Sequence, residues 1–268
     1  MSSVRDLTYP AVVLAAKTSF KLLDLTVDVH GAENVPRTGG AVLALNHVSY
    51  VDFILGGFAA QPSDRLVRFM AKRELFTHRL AGPLMRSLHH IEVDRGDGLK
   101  SFAEANRYLR AGEVVGIFPE ATISRAMELK EFKSGAPRLA ADVGVPLVPA
   151  VLWGTQRMMT KDHPRDFSRG QHVAITVGEP LHPSGDRPVD ETAELKASMA
   201  VLLDETIRRY PDPPDGHWWA PASYGGTAPT LEQAAVLDAA EKRDRAKRFV
   251  AKEREKRARA ANRPWKRS

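Results

Sequence analysis

The chain of 268 residues contains no cysteine, which excludes disulfides, thiolate metal sites and a cysteine nucleophile. That absence suits a reducing interior, and the expectation is a cytoplasmic protein. There is no run of about 18 apolar residues, so a membrane-spanning helix is not expected. Lys17, Lys21 and Asp24 interrupt the long apolar stretch near the N-terminus, which removes a secretory-signal layout. Stretch 10–27 reads instead as an amphipathic segment, either packed on the core or lying on a membrane surface. No Gly-x-Ser-x-Gly elbow is present to supply a hydrolase-type serine nucleophile.

Excess charge is also missing from most of the chain. Residues 241–268 hold thirteen Lys/Arg against four Asp/Glu, which leaves 26 basic and 29 acidic residues elsewhere. The net charge of +6 therefore belongs to the C-terminal end. Such an end suits an anionic lipid surface, a nucleic acid, or a solvated helix.

Short β-type runs lie at 25–30, 41–45, 67–70, 91–93, 114–118, 147–152 and 173–177, with helical patterns at 99–110 and 135–143 among them. The alternation predicts an α/β fold: one mixed, largely buried sheet of about seven strands flanked by helices. A helical pattern over 190–210 closes this unit, and the breaker cluster 211–216 (Pro-Asp-Pro-Pro-Asp-Gly) sets a boundary. The expected organisation is a domain over 1–210. Residues 211–268 then supply a proline-rich break, a Trp-containing segment and a basic helical extension at 231–261.

The most informative segment is Asn46-His47-Val48-Ser49-Tyr50-Val51-Asp52, which joins the strand at 41–45 to a short apolar helix over 51–60. On a strand-to-helix turn, Asp52 can fold back onto the His47 ring. A carboxylate on one ring nitrogen fixes the tautomer and leaves the other free to take a proton, which equips His47 as a general base. The same residues also fit a capping box from Ser49 to Asp52, with His47 structural. Further along, Phe118-Pro119-Glu120-Ala121-Thr122-Ile123-Ser124-Arg125 follows a strand end, where Glu120 and Thr122 can bind hydroxyls and Arg125 an anion. Arg95 ends another strand, and Lys133 precedes a helix; both suit a phosphate. His89-His90-x-Glu92-x-Asp94 holds metal-capable residues, but alternation on a strand sets His89 opposite the others, and no metal site is expected.

These segments together resemble the glycerolipid acyltransferase family, specifically the 1-acylglycerol-3-phosphate acyltransferases. Asn46, His47, Ser49 and Asp52 match its first motif, and Ile91, Asp94 and Arg95 its second. Phe118, Pro119, Glu120, Thr122 and Ser124 match the third, with Phe132, Lys133 and Gly135 following. Val145, Pro146, Val148 and Pro149 match the fourth. The likeness covers about residues 20–210. It departs at Ala121 and at His89, where the family has Gly, and at Ile123, where the family has Arg.

The resemblance implies transfer of a fatty acyl group from acyl-CoA or acyl carrier protein to a hydroxyl of lysophosphatidic acid or a related lysophospholipid. His47 and Asp52 would be catalytic. Asn46, Ser49, Arg95, Glu120, Thr122 and Lys133 would contact substrate, with Asn46 near the oxyanion, and Arg125, two residues beyond Ile123, would replace the missing family Arg. No cofactor or metal is implied. The expected partners are the lysophospholipid, the acyl donor and an anionic membrane surface at the inner face, with no nucleic acid. Two other classes stay open: a non-catalytic basic lipid- or nucleic-acid-binding protein, and a hydrolase using the same His/Asp pair.

Overall fold

The computed structural model describes residues 8–261 apart from 95 and 97. Seven strands form one sheet: β1 (Thr26–His30), β2 (Ala41–Leu45), β3 (Val67–Lys72), β4 (Ile91–Val93), β5 (Val114–Ile117), β6 (Leu147–Trp153) and β7 (His172–Val177). Their order is β1-β7-β6-β2-β5-β3-β4. All neighbours are parallel except β6 and β7, so the C-terminal ends of the central strands β6, β2 and β5 lie side by side at one end of the sheet. Nine α-helices are described: α1 (Tyr9–Leu22), α2 (Asp52–Gly56), α3 (Arg73–Thr77), α4 (Ala81–Ser87), α5 (Gly98–Arg110), α6 (Gly135–Val143), α7 (Thr155–Met158), α8 (Pro188–Arg209) and α9 (Leu231–Ala261).

Alternation along β2 builds both halves of the core. Ala41, Leu43 and Leu45 join the cluster under α2, while Val42 and Ala44 join the one containing Leu109, Leu139 and Leu203 of α5, α6 and α8. Every β2 residue is buried, as a continuous apolar run at the centre of a parallel sheet requires. Helix ends follow from local chemistry. α6 stops at Gly144, in the left-handed region at φ 69°. α8 starts on Pro188 with acids in its first turn and ends with Arg208 and Arg209, matching the helix dipole.

The expected helix over 51–60 is shorter than its apolar run: α2 ends at Gly56, and 3-10 turns at Gly57–Ala59 and Gln61–Ser63 follow. Consecutive glycines explain the loss, since each weakens a helix interior. Beyond the proline-rich break the chain returns to the main core. Trp219 is buried, edge-on to Trp153 and Tyr210, and its carbonyl accepts from Gln156 Nε2. α9 then runs for 31 residues, ~46 Å at helical rise, with its first turns docked on the body. At the other end, α1 is anchored where the Tyr9 hydroxyl donates to the Val67 carbonyl. Between α1, α2 and α4 lies a cavity of about 390 Å³ lined by Val12, Ala16, Phe20, Ile54, Phe58 and Leu84 among others.

Candidate active site

The adjacent ends of β2, β5 and β6 each deliver one part of the site. β2 leads into Asn46 and His47, β5 into Phe118 and Glu120, and β6 into Gly154 and Thr155. The His47 ring is 21% exposed and stacks on Phe118 with centroids 4.3 Å apart. Its Nδ1 lies 2.9 Å from Asp52 Oδ2. The backbone amides of Val48 and Ser49 donate to the same oxygen at 2.8 and 2.7 Å. Asp52 Oδ1 accepts from the Thr155 hydroxyl at 2.6 Å. Asp52 is buried and its bonds come from donors, so Nδ1 carries the proton toward it and Nε2 is left to accept one.

The capping-box reading holds by half: the Asp52 carboxylate reaches back to the Ser49 amide. The Ser49 hydroxyl does not return the bond to the Asp52 amide; it donates to the Met159 carbonyl at 2.6 Å and accepts from Val51 N. The helix begins at Asp52 itself, so the carboxylate reaches back over the turn that precedes it. Asn46 is likewise removed from the oxyanion role. Its Nδ2 donates to the Leu152 carbonyl and its Oδ1 accepts from Leu152 N, a two-point brace between β2 and β6. Buried Ser49 and Asn46 shape the turn and offer nothing to substrate.

Glu120 is also committed inward. Its Oε1 accepts from His47 N at 2.8 Å and its Oε2 from Lys130 N at 3.2 Å. Burial pushes its carboxyl up to about 8, against the pull of those two amides. The side chain therefore clamps the His47 turn to the loop after β5 instead of binding a substrate hydroxyl. Half-buried Thr122 accepts from Lys130 Nζ at 2.6 Å.

The expected anion binders have three different fates. Lys133 is exposed, and its amide donates to the Pro119 carbonyl. Arg95 lies outside the described residues, though its neighbour Asp94 pairs with Arg73 at 2.6 Å. Arg125 is buried and engaged by three carboxylates, Asp162, Asp238 and Glu241, the last at 3.0 Å. As a free phosphate ligand it is overturned in this arrangement. Burial opposes its charge, but the bonds to Asp162 and Glu241 prevail and hold it above its ordinary value. Ile123 is buried, so the family's cation at that position has no counterpart there.

Sequence reasoning missed Thr155, Lys130 and Lys161. Thr155 follows Gly154 at the end of β6, the same strand-end signal that marked His47. Gly154 has φ 95°, and a Cβ there would sit 2.2 Å from the His172 carbonyl, so glycine is required to aim Thr155 at Asp52. Lys161 bonds Asp238 and Glu241 at 3.1 and 2.9 Å. His90 serves the fold: its Nδ1 accepts from Phe69 N, and burial takes it down to about 4.

The family described as Acyltransferase matches residues 26–153. A 1-acyl-sn-glycerol-3-phosphate acyltransferase of Bacillus subtilis is 33% identical over 183 residues, covering 68% of this chain and 86% of that protein. The 1-acyl-sn-glycerol-3-phosphate acyltransferase alpha of Mus musculus is 34% identical over 191 residues, covering 69% of this chain and 66% of its own length. Among solved structures, the 1-acyl-sn-glycerophosphate (LPA) acyltransferase PlsC of Thermotoga maritima aligns with a TM-score of 0.64 at 27% identity. That alignment covers 76% of this chain and 81% of that one.

Proposed function

The chain belongs to the acyltransferase family, and on that premise we propose that it moves a fatty acyl group from a thioester donor to a hydroxyl of a lysophospholipid. Lysophosphatidic acid, the acceptor named for its relatives, is the first substrate to test. The observation that carries the reading is the half-buried His47 ring, held through Nδ1 by Asp52 and open to solvent on one side. Nε2 takes the proton of the acceptor hydroxyl as its oxygen attacks the thioester carbonyl. The imidazolium that forms sits against the Asp52 carboxylate, and its proton then passes to the departing thiolate. The donor is already activated, so no acyl-enzyme is needed. Acyl-CoA and acyl carrier protein are both compatible donors, and no metal or further cofactor enters the scheme.

The apolar cavity, lined among others by Val51 and Phe53 on either side of Asp52 in sequence, suits an acyl chain. Ile54 on α2 is exposed at the cavity, and Leu14 and Leu22 are exposed elsewhere on α1, which supports peripheral contact with a membrane at its inner face. No described helix is long and apolar enough to cross one. Labelled acyl thioester incubated with lysophosphatidic acid separates the possibilities. Acylated glycerolipid is the expected product, whereas free fatty acid would make the protein a hydrolase.

A further inference from the structure

Arg125, Lys130 and Lys161 converge beside the catalytic turn and are met by the chain's own acids. Asp238 and Glu241, three residues apart on α9, touch all three cations: Asp238 bonds Arg125, Lys130 and Lys161, while Glu241 bonds Arg125 and Lys161. Asp162 supplies the third carboxylate from the loop after α7. Two backbone links tie the cluster to His47. The amide of Ser124, next to Arg125, donates to the His47 carbonyl at 2.7 Å, and the Lys130 amide shares Glu120 with the His47 amide.

Counting these side chains gives three positive and three negative charges. Withdrawal of α9 removes two of the negatives and leaves a net charge of about +2, the complement of a phosphomonoester at about −1.5 to −2. The guanidinium fork and the two ammonium groups bind phosphate oxygens as readily as carboxylate oxygens. Asp238 and Glu241 therefore stand in for the charge of a phosphate head group.

The remainder of α9 has the opposite sign. Arg243, Arg245, Lys247 and Arg248 are exposed beyond Glu241, together with Phe249 and Val250. A cation-rich helical segment with interspersed exposed apolar residues suits an anionic membrane surface. Both halves belong to one helix, so drawing the basic half onto a surface pulls on the acidic turn as well.

We propose that α9 is a built-in competitor of the acceptor phosphate, seated on Arg125, Lys130 and Lys161 in solution and withdrawn when its basic half binds an anionic membrane. This rests on the acyltransferase reading for the identity of the phosphate. It couples exposure of the head-group site to arrival at the surface that holds the acceptor.

The test uses the full chain carrying Asp238→Asn and Glu241→Gln. If α9 is seated about nine-tenths of the time, the double variant lowers the KM for lysophosphatidic acid in neutral micelles about tenfold, with the donor KM unchanged. The unaltered chain should gain the same advantage from phosphatidylglycerol vesicles at low salt, and lose it as salt screens the attraction. Because the chain has no cysteine, spin labels on Arg165→Cys and Lys242→Cys follow the helix independently of turnover. Their separation should lengthen on phosphatidylglycerol vesicles and stay fixed on phosphatidylcholine. A fixed separation on anionic vesicles, or an unchanged acceptor KM in a folded double variant, overturns the proposal. Absence of transfer with a lengthened separation would instead fault the acyl-transfer reading alone.

Discussion

Asp52 and Asp238 serve the same end of the sheet, and they are held by opposite means. Asp52 is fully buried and fixed by two backbone amides, a threonine hydroxyl and one imidazole, all on short tethers. Asp238 is 25% exposed and held by Arg125, Lys130 and Lys161, each on a long flexible stem. Ordering such stems costs rotamer entropy that short tethers do not incur. Salt also screens part-exposed ion pairs more than it affects a buried carboxylate bonded to amides. The first arrangement is built to stay and the second to exchange, as the proposed roles require: one orients the base His47, the other gives way to a phosphate.

The hardest test of the fixed side is His47→Ala, expected to lower turnover by roughly 10²–10⁴-fold while the melting temperature moves little. A folded variant with near-normal transfer would remove His47 from the chemistry. Asp52→Asn is next. Three donors converge on Oδ2, so the amide oxygen should take that place and keep Nδ1 protonated. The loss should then be about 10²-fold, below the roughly 10⁴-fold that follows when an amide forces the wrong tautomer. A loss at the larger figure would show that the turn does not dictate the orientation of the side chain.

Glu120 lies between the two regions and sharpens the contrast. Glutamine offers one accepting oxygen, so Glu120→Gln leaves the amide of His47 or Lys130 facing an NH₂ group, at a cost of about 1–3 kcal/mol. The pH dependence has a definite sign. Burial raises the carboxyl from 4.5 to about 8, so between those values the folded chain keeps a proton that the unfolded chain releases. Its contribution to stability is therefore greatest below the lower value and falls as pH rises toward the upper one. Denaturant titrations from pH 5 to 8 should show that decline in the parent and a flatter profile in Glu120→Gln. Equal slopes would mean that Glu120 is ionised throughout.

Legibility in the sequence followed the distance over which each contact reaches. β2 and the His47–Asp52 turn are local, and both were visible in an apolar run and a five-residue offset. The seven strands likewise show as short runs, whereas the short helices α3, α4 and α7 leave no pattern, because four to seven residues carry no usable period. Thr155 lies 103 residues from Asp52, and Glu241 lies 116 from Arg125. No local pattern links such pairs. Net charge hides the second pair further, since the C-terminal end is basic as a whole although the first turns of α9 present acids to the body. Asn46, Ser49 and Glu120 stand out as motif members, yet their side chains bond the backbone, because a motif marks a residue without saying whether it faces substrate or backbone.

The smallest expected effect concerns the two places where this chain departs from its family's glycines. Ala121 has φ 60° and His89 has φ 55°, so both keep the left-handed backbone that glycine would adopt freely. At position 121 the strain closes the turn after β5, with the Ala121 amide donating to the Phe118 carbonyl at 3.0 Å and Glu120 aimed inward beside it. Left-handed backbone costs an L-residue roughly 1–2 kcal/mol, and glycine's looser unfolded state returns about 0.5–1 kcal/mol of any relief. Ala121→Gly should thus stabilise by about 0.5–1 kcal/mol, a rise of about 1–4 °C in Tm for a chain of this size. Turnover should stay within about twofold, since the Glu120 clamp is built from residues on either side of the change. A clear loss of stability would mean that the Ala121 methyl packs usefully enough to outweigh its strain. A large fall in turnover at unchanged Tm would mean that the strain itself holds Glu120, and through it His47, in place.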